Sequence, residues 1–220
     1  MARMAFDREL NDLQREILRM GSMVEEAIHL AVKSLAERNV ELANQVFDND
    51  DRIDQLEDEI EERCLKLIAL QQPLASDLRI IDTVLKIVTD LERMADEATN
   101  ICEITRRIAH EPLLKPLVDI PRMAEMAQQM VKDSLDAFVN RDVELAKRTC
   151  EADDAVDKLY ADLYEELVGF AINGKDPYTV NQSINLLFVA RHLERIADHA
   201  TNVGERVIYM VTGDRSFSHS

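Results

Sequence analysis

Tryptophan is absent from the 220-residue chain, and aromatic residues make up only 5% of it. Glycine and proline occur five times each. That leaves too few punctuating residues for a many-stranded protein, which needs a turn every few residues. The bulk is Ala, Leu, Ile, Glu, Asp, Arg and Lys, the composition of long helices, and a hydrophobic content of 46% is ample for a core. The fold expected is all-α.

Other absences narrow the function. Cys64, Cys102 and Cys150 lie far apart, without a CxxC pair, and read as reduced thiols and not as a thiolate metal site. No uninterrupted apolar run approaches the roughly 20 residues that span a bilayer. The N-terminus turns polar at Arg3 and offers no signal-peptide apolar core. A soluble, cytoplasmic protein is expected. Bases are the minority, 26 against 43 acids, giving a formal charge of −17. Such a surface repels phosphate backbones and anionic leaflets, so neither nucleic acid nor membrane is an expected direct partner. A Gly-rich phosphate loop, a GxSxG elbow and a Cys/His pairing are all missing, and Glu26 with His29 is the sole ExxH where a ferritin-like di-iron centre needs two.

What is present is a duplication. Glu92, Arg93, Asp96, Ala98, Thr99, Asn100 and Glu103 recur as Glu194, Arg195, Asp198, Ala200, Thr201, Asn202 and Glu205, all at an offset of 102. Val40-Glu-Leu-Ala43 returns as Val143-Glu-Leu-Ala146, and Asp50, Asp51, Asp54 and Leu56 as Asp153, Asp154, Asp157 and Leu159, at an offset of 103. The one-residue difference places an indel in a loop, where insertions and deletions are tolerated.

Apolar residues spaced by three and four predict six helices, over 6–38, 40–70, 75–109, 120–139, 143–172 and 178–211. Asn39, Gln71-Gln72-Pro73, Asn140-Arg141-Asp142 and Asn173 to Pro177 separate them, and Pro112, Pro116 and Pro121 mark a linker between the halves. Long helices joined by short turns pack antiparallel. The organisation expected is therefore a three-helix bundle over 1–111, a linker over 112–121, a second bundle over 122–213, and a tail over 214–220 expected to be disordered.

Four acid pairs stand at i, i+4: Asp50/Asp54, Glu92/Asp96, Asp153/Asp157 and Glu194/Asp198. Like charges four apart on a helix destabilise it slightly. On the third helix Asp96, Asn100 and Glu103 all lie within about 80° of Glu92 at the α-helical advance per residue. The last helix repeats this stripe, bordering the buried face. Any single acid pair is most simply a solvated surface. Four pairs, placed equivalently in two halves, suggest that a cation offsets the repulsion. Arg93 and Arg195 point about 100° away and cannot neutralise the whole stripe. A metal site in each half follows, with Asp50/Asp54 facing Glu92/Asp96 and Asp153/Asp157 facing Glu194/Asp198. All-oxygen ligands suit hard or borderline cations. His199 beside Asp198 has Glu97 as its counterpart, which argues against a ligand role. The methionines, Met20, Met23, Met123, Met126 and Met130 among them, read as core filling.

Two three-helix units, each ending in a helix with Leu-Glu-Arg-Met/Ile-Ala-Asp-x-Ala-Thr-Asn, resemble the PhoU family of phosphate-transport accessory proteins. Pro73-Leu-Ala-Ser-Asp-Leu-Arg79 and the Asp-rich middle helices extend the resemblance over essentially the whole chain. Ala95 and Ala197 stand where many members have Gly before the motif Asp, and both are small enough for close helix packing. The resemblance implies a non-enzymatic regulator. It would act as an adaptor between the ATPase subunit of an ABC phosphate transporter and a membrane sensor histidine kinase, and repress the phosphate-starvation response when phosphate is plentiful. It also implies a homodimer that meets the membrane only through partners. Divalent or trivalent metal ions (Fe, Mn, Mg, Zn or Ca) would be bound at Asp50, Asp54, Glu92, Asp96, Asp153, Asp157, Glu194 and Asp198, with Asn100 and Asn202 as additions. The rival readings are a metal-dependent phosphohydrolase, disfavoured by two equivalent sites without a general base or nucleophile, and a purely structural dimerisation module.

Overall fold

Each helix starts and stops where its flanking residues direct. A computed structural model describes residues 2–214, 216 and 217, apart from the side chains of 2–5 and 7. Six helices follow in order: α1 Ala2–Glu37, α2 Val40–Gln71, α3 Ala75–Ile108, α4 Asp119–Asn140, α5 Val143–Asn173 and α6 Pro177–Thr212. No strand occurs among the described residues. Asn39 caps α2 by accepting from the Leu42 N–H, Asp142 caps α5 through the Glu144 and Leu145 N–H groups, and Asp176 caps α6 through the Thr179 N–H. Each cap satisfies amide donors that the first helical turn leaves open. Pro177 opens α6 and Gly213, at φ 75°, closes it in the left-handed region.

Two expected boundaries shift. Pro121, assigned to the linker, lies in the first turn of α4, where its missing N–H has no intrahelical acceptor to lose. The tail from Asp214 is not wholly without structure. Ser216 donates through its N–H and hydroxyl to the Asp214 carboxylate, at 2.8 and 2.9 Å, and Phe217 packs against the core. Residues 215 and 218–220 lie outside the described residues.

Within each half the three helices alternate in direction, as short turns require. The halves are joined face to face by α3 and α6. Asp90 meets His199 and Glu97 meets His192, so these helices run antiparallel. The Tyr178 hydroxyl, at the start of α6, donates to the Pro112 carbonyl beyond the end of α3 at 2.6 Å. The buried apolar residues of all six helices form one continuous cluster. The two repeats therefore share a core and are not separate modules.

Ala95 and Ala197 are both buried. α5 and α6 approach closely at Gly204. A Cβ there would lie 2.9 Å from Cys150 Sγ and 3.1 Å from the Ala146 carbonyl oxygen. Gly204→Val should therefore cost about 1–3 kcal/mol through overpacking. Gly169→Ala, on α5 with nothing within 4 Å of the new methyl, should be neutral or stabilise by up to about 1 kcal/mol through helix propensity. Urea midpoints of the two variants check both signs.

Candidate metal centres

The helix turn that carries each acid pair also fixes its partner. Asp50 and Asp54 stand on α2 one turn apart, and Glu92 and Asp96 on α3 likewise. Packing of α2 on α3 brings the pairs within electrostatic reach. Asp50 is pushed up to about 6, first by burial and then by the charges of Asp54 and Asp96. Glu92 is pushed up to about 7 by burial, with Asp96 next. Asp54 is raised as well, by burial and then by Asp96. One Glu92 oxygen, Oε2, is shielded from solvent and makes no hydrogen bond, although Arg93 Nε lies 3.3 Å away.

The second half gathers its acids more tightly. One carboxylate oxygen from each of Asp153, Asp157 and Asp198 falls in a group within 4.8 Å of one another. Asp153 is 8% exposed, while Asp157 and Asp198 face solvent. Glu194, also 8% exposed, is pushed up to about 7 by burial and then by Asp198. Its Oε1 accepts from Arg191, while its buried Oε2 has no hydrogen-bond partner. Asp198 is raised by burial and then by Asp157. Oxygens from two helices converging on one point, with an orphaned buried carboxylate oxygen beside them, fit a hard cation. Asn100 and Asn202 sit a turn beyond Asp96 and Asp198. Asn202 faces the other half, its amide donating to Asp90 at 3.4 Å.

The sites differ because their arginines differ. Arg93 does turn back onto the stripe, reaching Asp96 at 3.0 Å as well as Glu92, which corrects the helical-wheel expectation that it points away. Its counterpart Arg195 crosses to the other half and meets Glu97 at 2.6 Å. Arg191 neutralises Glu194 in its place and lies over the Tyr160 ring, 6.0 Å from the centroid. Glu57, at the position equivalent to Tyr160, adds a further carboxylate to the first cluster, itself raised chiefly by burial. Its place three residues after Asp54, one turn along the same face, was the readable signal for it.

The seam between the halves also escaped the sequence reading. His192 Nδ1 lies 2.6 Å from Glu97 Oε2, and His199 Nδ1 lies 2.9 Å from Asp90 Oδ1. Glu97 is only 3% exposed. Burial alone would raise its pKa, but the His192 hydrogen bond and the charges of His192 and Arg195 outweigh it and hold the carboxyl below its ordinary value. The signal lay in how the motif copies diverge. Asp90 becomes His192, and Glu97 becomes His199. Duplicated positions thus meet as acid against histidine where identical copies would set like against like. His199 serves this seam through its contact with Asp90.

Comparison with known proteins follows the same division of the chain. Residues 17–105 and 120–207 each match the family model described as the PhoU domain. The PhoU homologue of Aquifex aeolicus, a phosphate-specific transport system accessory protein, is 47% identical over 207 residues, covering 94% of this chain and 93% of that one. The Clostridium acetobutylicum homologue is 42% identical over 214 residues, covering 97% of each. The crystal structure of PhoU from Pseudomonas aeruginosa superimposes with a TM-score of 0.90 at 38% identity, covering 95% of this chain and all of that one. The phosphate transport system regulatory protein PhoU from Streptococcus pneumoniae does so at 0.89 and 29% identity, covering 97% and all respectively.

The raised carboxyls set a pH dependence for the metal-free protein. Glu92 and Glu194 titrate near 4.5 when unfolded and about 7 when folded. Folding therefore favours their protonated forms. The resulting destabilisation grows as pH rises from about 4.5 to 7 and is complete above that. The depressed Glu97 acts oppositely, but only below its own ordinary range. In chelator, Glu92→Gln/Glu194→Gln should melt higher than the parent at pH 8, and the gap should close as pH falls towards 5. Melting temperatures measured across that range provide the check.

Proposed function

This chain belongs to the PhoU family, and we propose that it regulates phosphate uptake as a cytoplasmic, non-enzymatic adaptor with a carboxylate-bound metal centre in each half. The names of its relatives support the coarser part of this reading, an accessory role in a phosphate-specific transport system. The observation that supports the metal centres is the convergence of Asp153, Asp157 and Asp198 within 4.8 Å beside the orphaned Glu194 oxygen. The partners proposed are the ATPase subunit of an ABC phosphate transporter and a membrane sensor histidine kinase, with repression of the starvation response as the output.

The physical logic is one of charge. A chain of net −17 presents an acidic face that repels most intracellular surfaces. A bound di- or trivalent cation would cancel part of that charge. The protein's own contribution is to hold four carboxylates in register on rigid helices, so that little ordering is needed at binding. Next to the second centre, Tyr164 on α5 and Ile184 and Phe188 on α6 remain exposed, Phe188 by 51%. An apolar surface bordering a neutralised acidic one is suited to a protein partner or a second copy of the chain. Among the described residues no helix is long and apolar enough to cross a membrane; any contact with the bilayer is proposed to run through the partners.

Asp96→Ala/Asp198→Ala should lose bound metal, bind the transporter ATPase and the kinase at least about tenfold more weakly, and leave the starvation response switched on. Partner affinities measured with and without chelator, beside a reporter of the response, test this. Full repression by the metal-free variant would separate the centres from signalling. Turnover of phosphoesters by the metal-loaded protein would instead favour a hydrolase.

A further inference from the structure

We propose that a cleft at the opposite end of α3 from the linker binds a small phosphate-class oxyanion between Arg79 and Arg141. The cleft opens among α1, the first turn of α3, the end of α4 and the end of α6. It has a larger lobe of about 490 Å³, reaching Asn11, Gln14 and Asp77, and a smaller one of about 180 Å³. Ser76, Ile80 and Arg141 line both. Arg79, Met210 and Val211 complete the smaller lobe, with no carboxylate among its described lining residues.

Four observations point to an anion there. Arg79 Nε is shielded from solvent yet has no hydrogen-bond partner, and an unmade buried donor is costly. Among the described residues no carboxylate lies within 4.0 Å of either guanidinium, although acids outnumber bases 43 to 26 in the chain. Arg38, the equivalent of Arg141 in the first half and in the same left-handed conformation, donates to the Glu111 carbonyl. Arg141 makes no such bond and is left facing the cleft. Finally, α3 begins at Leu74, which offers no side-chain cap. The cap residue therefore takes none of the first-turn amide N–H groups beside Ser76, where the positive dipole end favours an anion.

Two guanidinium forks, a hydroxyl and a helix N-terminus form a donor set for a tetrahedral dianion. The smaller lobe accommodates such an ion with a few waters, each needing about 30 Å³. At about 180 Å³ the smaller lobe suits a single phosphoryl group better than a polyanion. This site lies at the far end of α3 from Asn100 and Glu103 and uses none of the metal-centre residues. It stands or falls independently of the metal reading.

Inorganic phosphate titrated into the full-length, chelator-treated protein at constant ionic strength tests it. Calorimetry should show saturable binding of one ion per chain, with a concerted shift of the Arg79 Nε–Hε resonance. Arg79→Gln and Arg141→Gln should each weaken binding by about tenfold or more, the loss of one charge-assisted contact. Asp157→Asn/Asp198→Asn should leave it unchanged, and pyrophosphate should bind no more tightly than phosphate. An Arg79 resonance unmoved at saturating phosphate in the unaltered protein, or binding undiminished in both arginine variants, would overturn the proposal. Tighter binding of pyrophosphate would overturn the assignment to the smaller lobe.

Discussion

Mutual repulsion among carboxylates, held beside an apolar core by helix packing, is the constraint on which the rest of this structure depends. The chain cannot relax it by moving the acids apart. Their spacing follows from the α-helical repeat, and the helices bearing them are fixed by buried neighbours such as Leu91, Ala95, Leu193 and Ala197. What remains is protonation, pairing with arginine, or a cation. The elevated pKa values of Asp50, Glu92 and Glu194 show the first at work. Arg93 and Arg191 supply the second. Neither satisfies the buried oxygens of Glu92 and Glu194, and the third is the role assigned to metal.

Duplication explains why the structure carries this arrangement twice, and its imperfections explain how the copies came to differ. Packing identical helices α3 and α6 antiparallel would set Asp90 against a copy of Glu97, two acids at a buried seam. Histidine in the second copy at both positions turns repulsion into two hydrogen-bonded contacts. Arg195 is drawn to the same seam by Glu97 and leaves Asp198 open, while Arg93 stays on its own stripe and closes against Asp96. The second centre is therefore the more open to a cation. One change at the seam thus propagates to the chemistry of a centre on the adjoining face.

The sequence made the helix ends legible to within a residue, apart from the start of α1, which lies at Ala2 and not at Phe6, because most of their stops are chemical. Asn39, Pro73, Asp142, Asp176 and Gly213 each end or begin a helix for a local reason that needs no tertiary contact. The acid pairs were equally legible, since i, i+4 spacing is a property of one helix. Relations between helices were not. Whether Arg93 folds back or reaches out is a choice of rotamer set by its neighbours. That Glu97 meets His192 depends on the register of α3 on α6, which no periodicity within either helix specifies. Glu57 stood in plain register with Asp54 but has Tyr160 as its counterpart, so the duplication did not single it out, and Arg79 and Arg141 share a cleft only because the ends of four helices meet there.

The most direct test of this account is a manganese titration of the metal-free protein, followed by calorimetry and by elemental analysis after desalting. Two classes of site are expected. The tighter should be lost in Asp157→Asn/Asp198→Asn, and the weaker in Asp50→Asn/Asp96→Asn. A folded parent protein that retains no metal, or equal retention by both variants, would contradict it and leave the acid stripes as solvated surface.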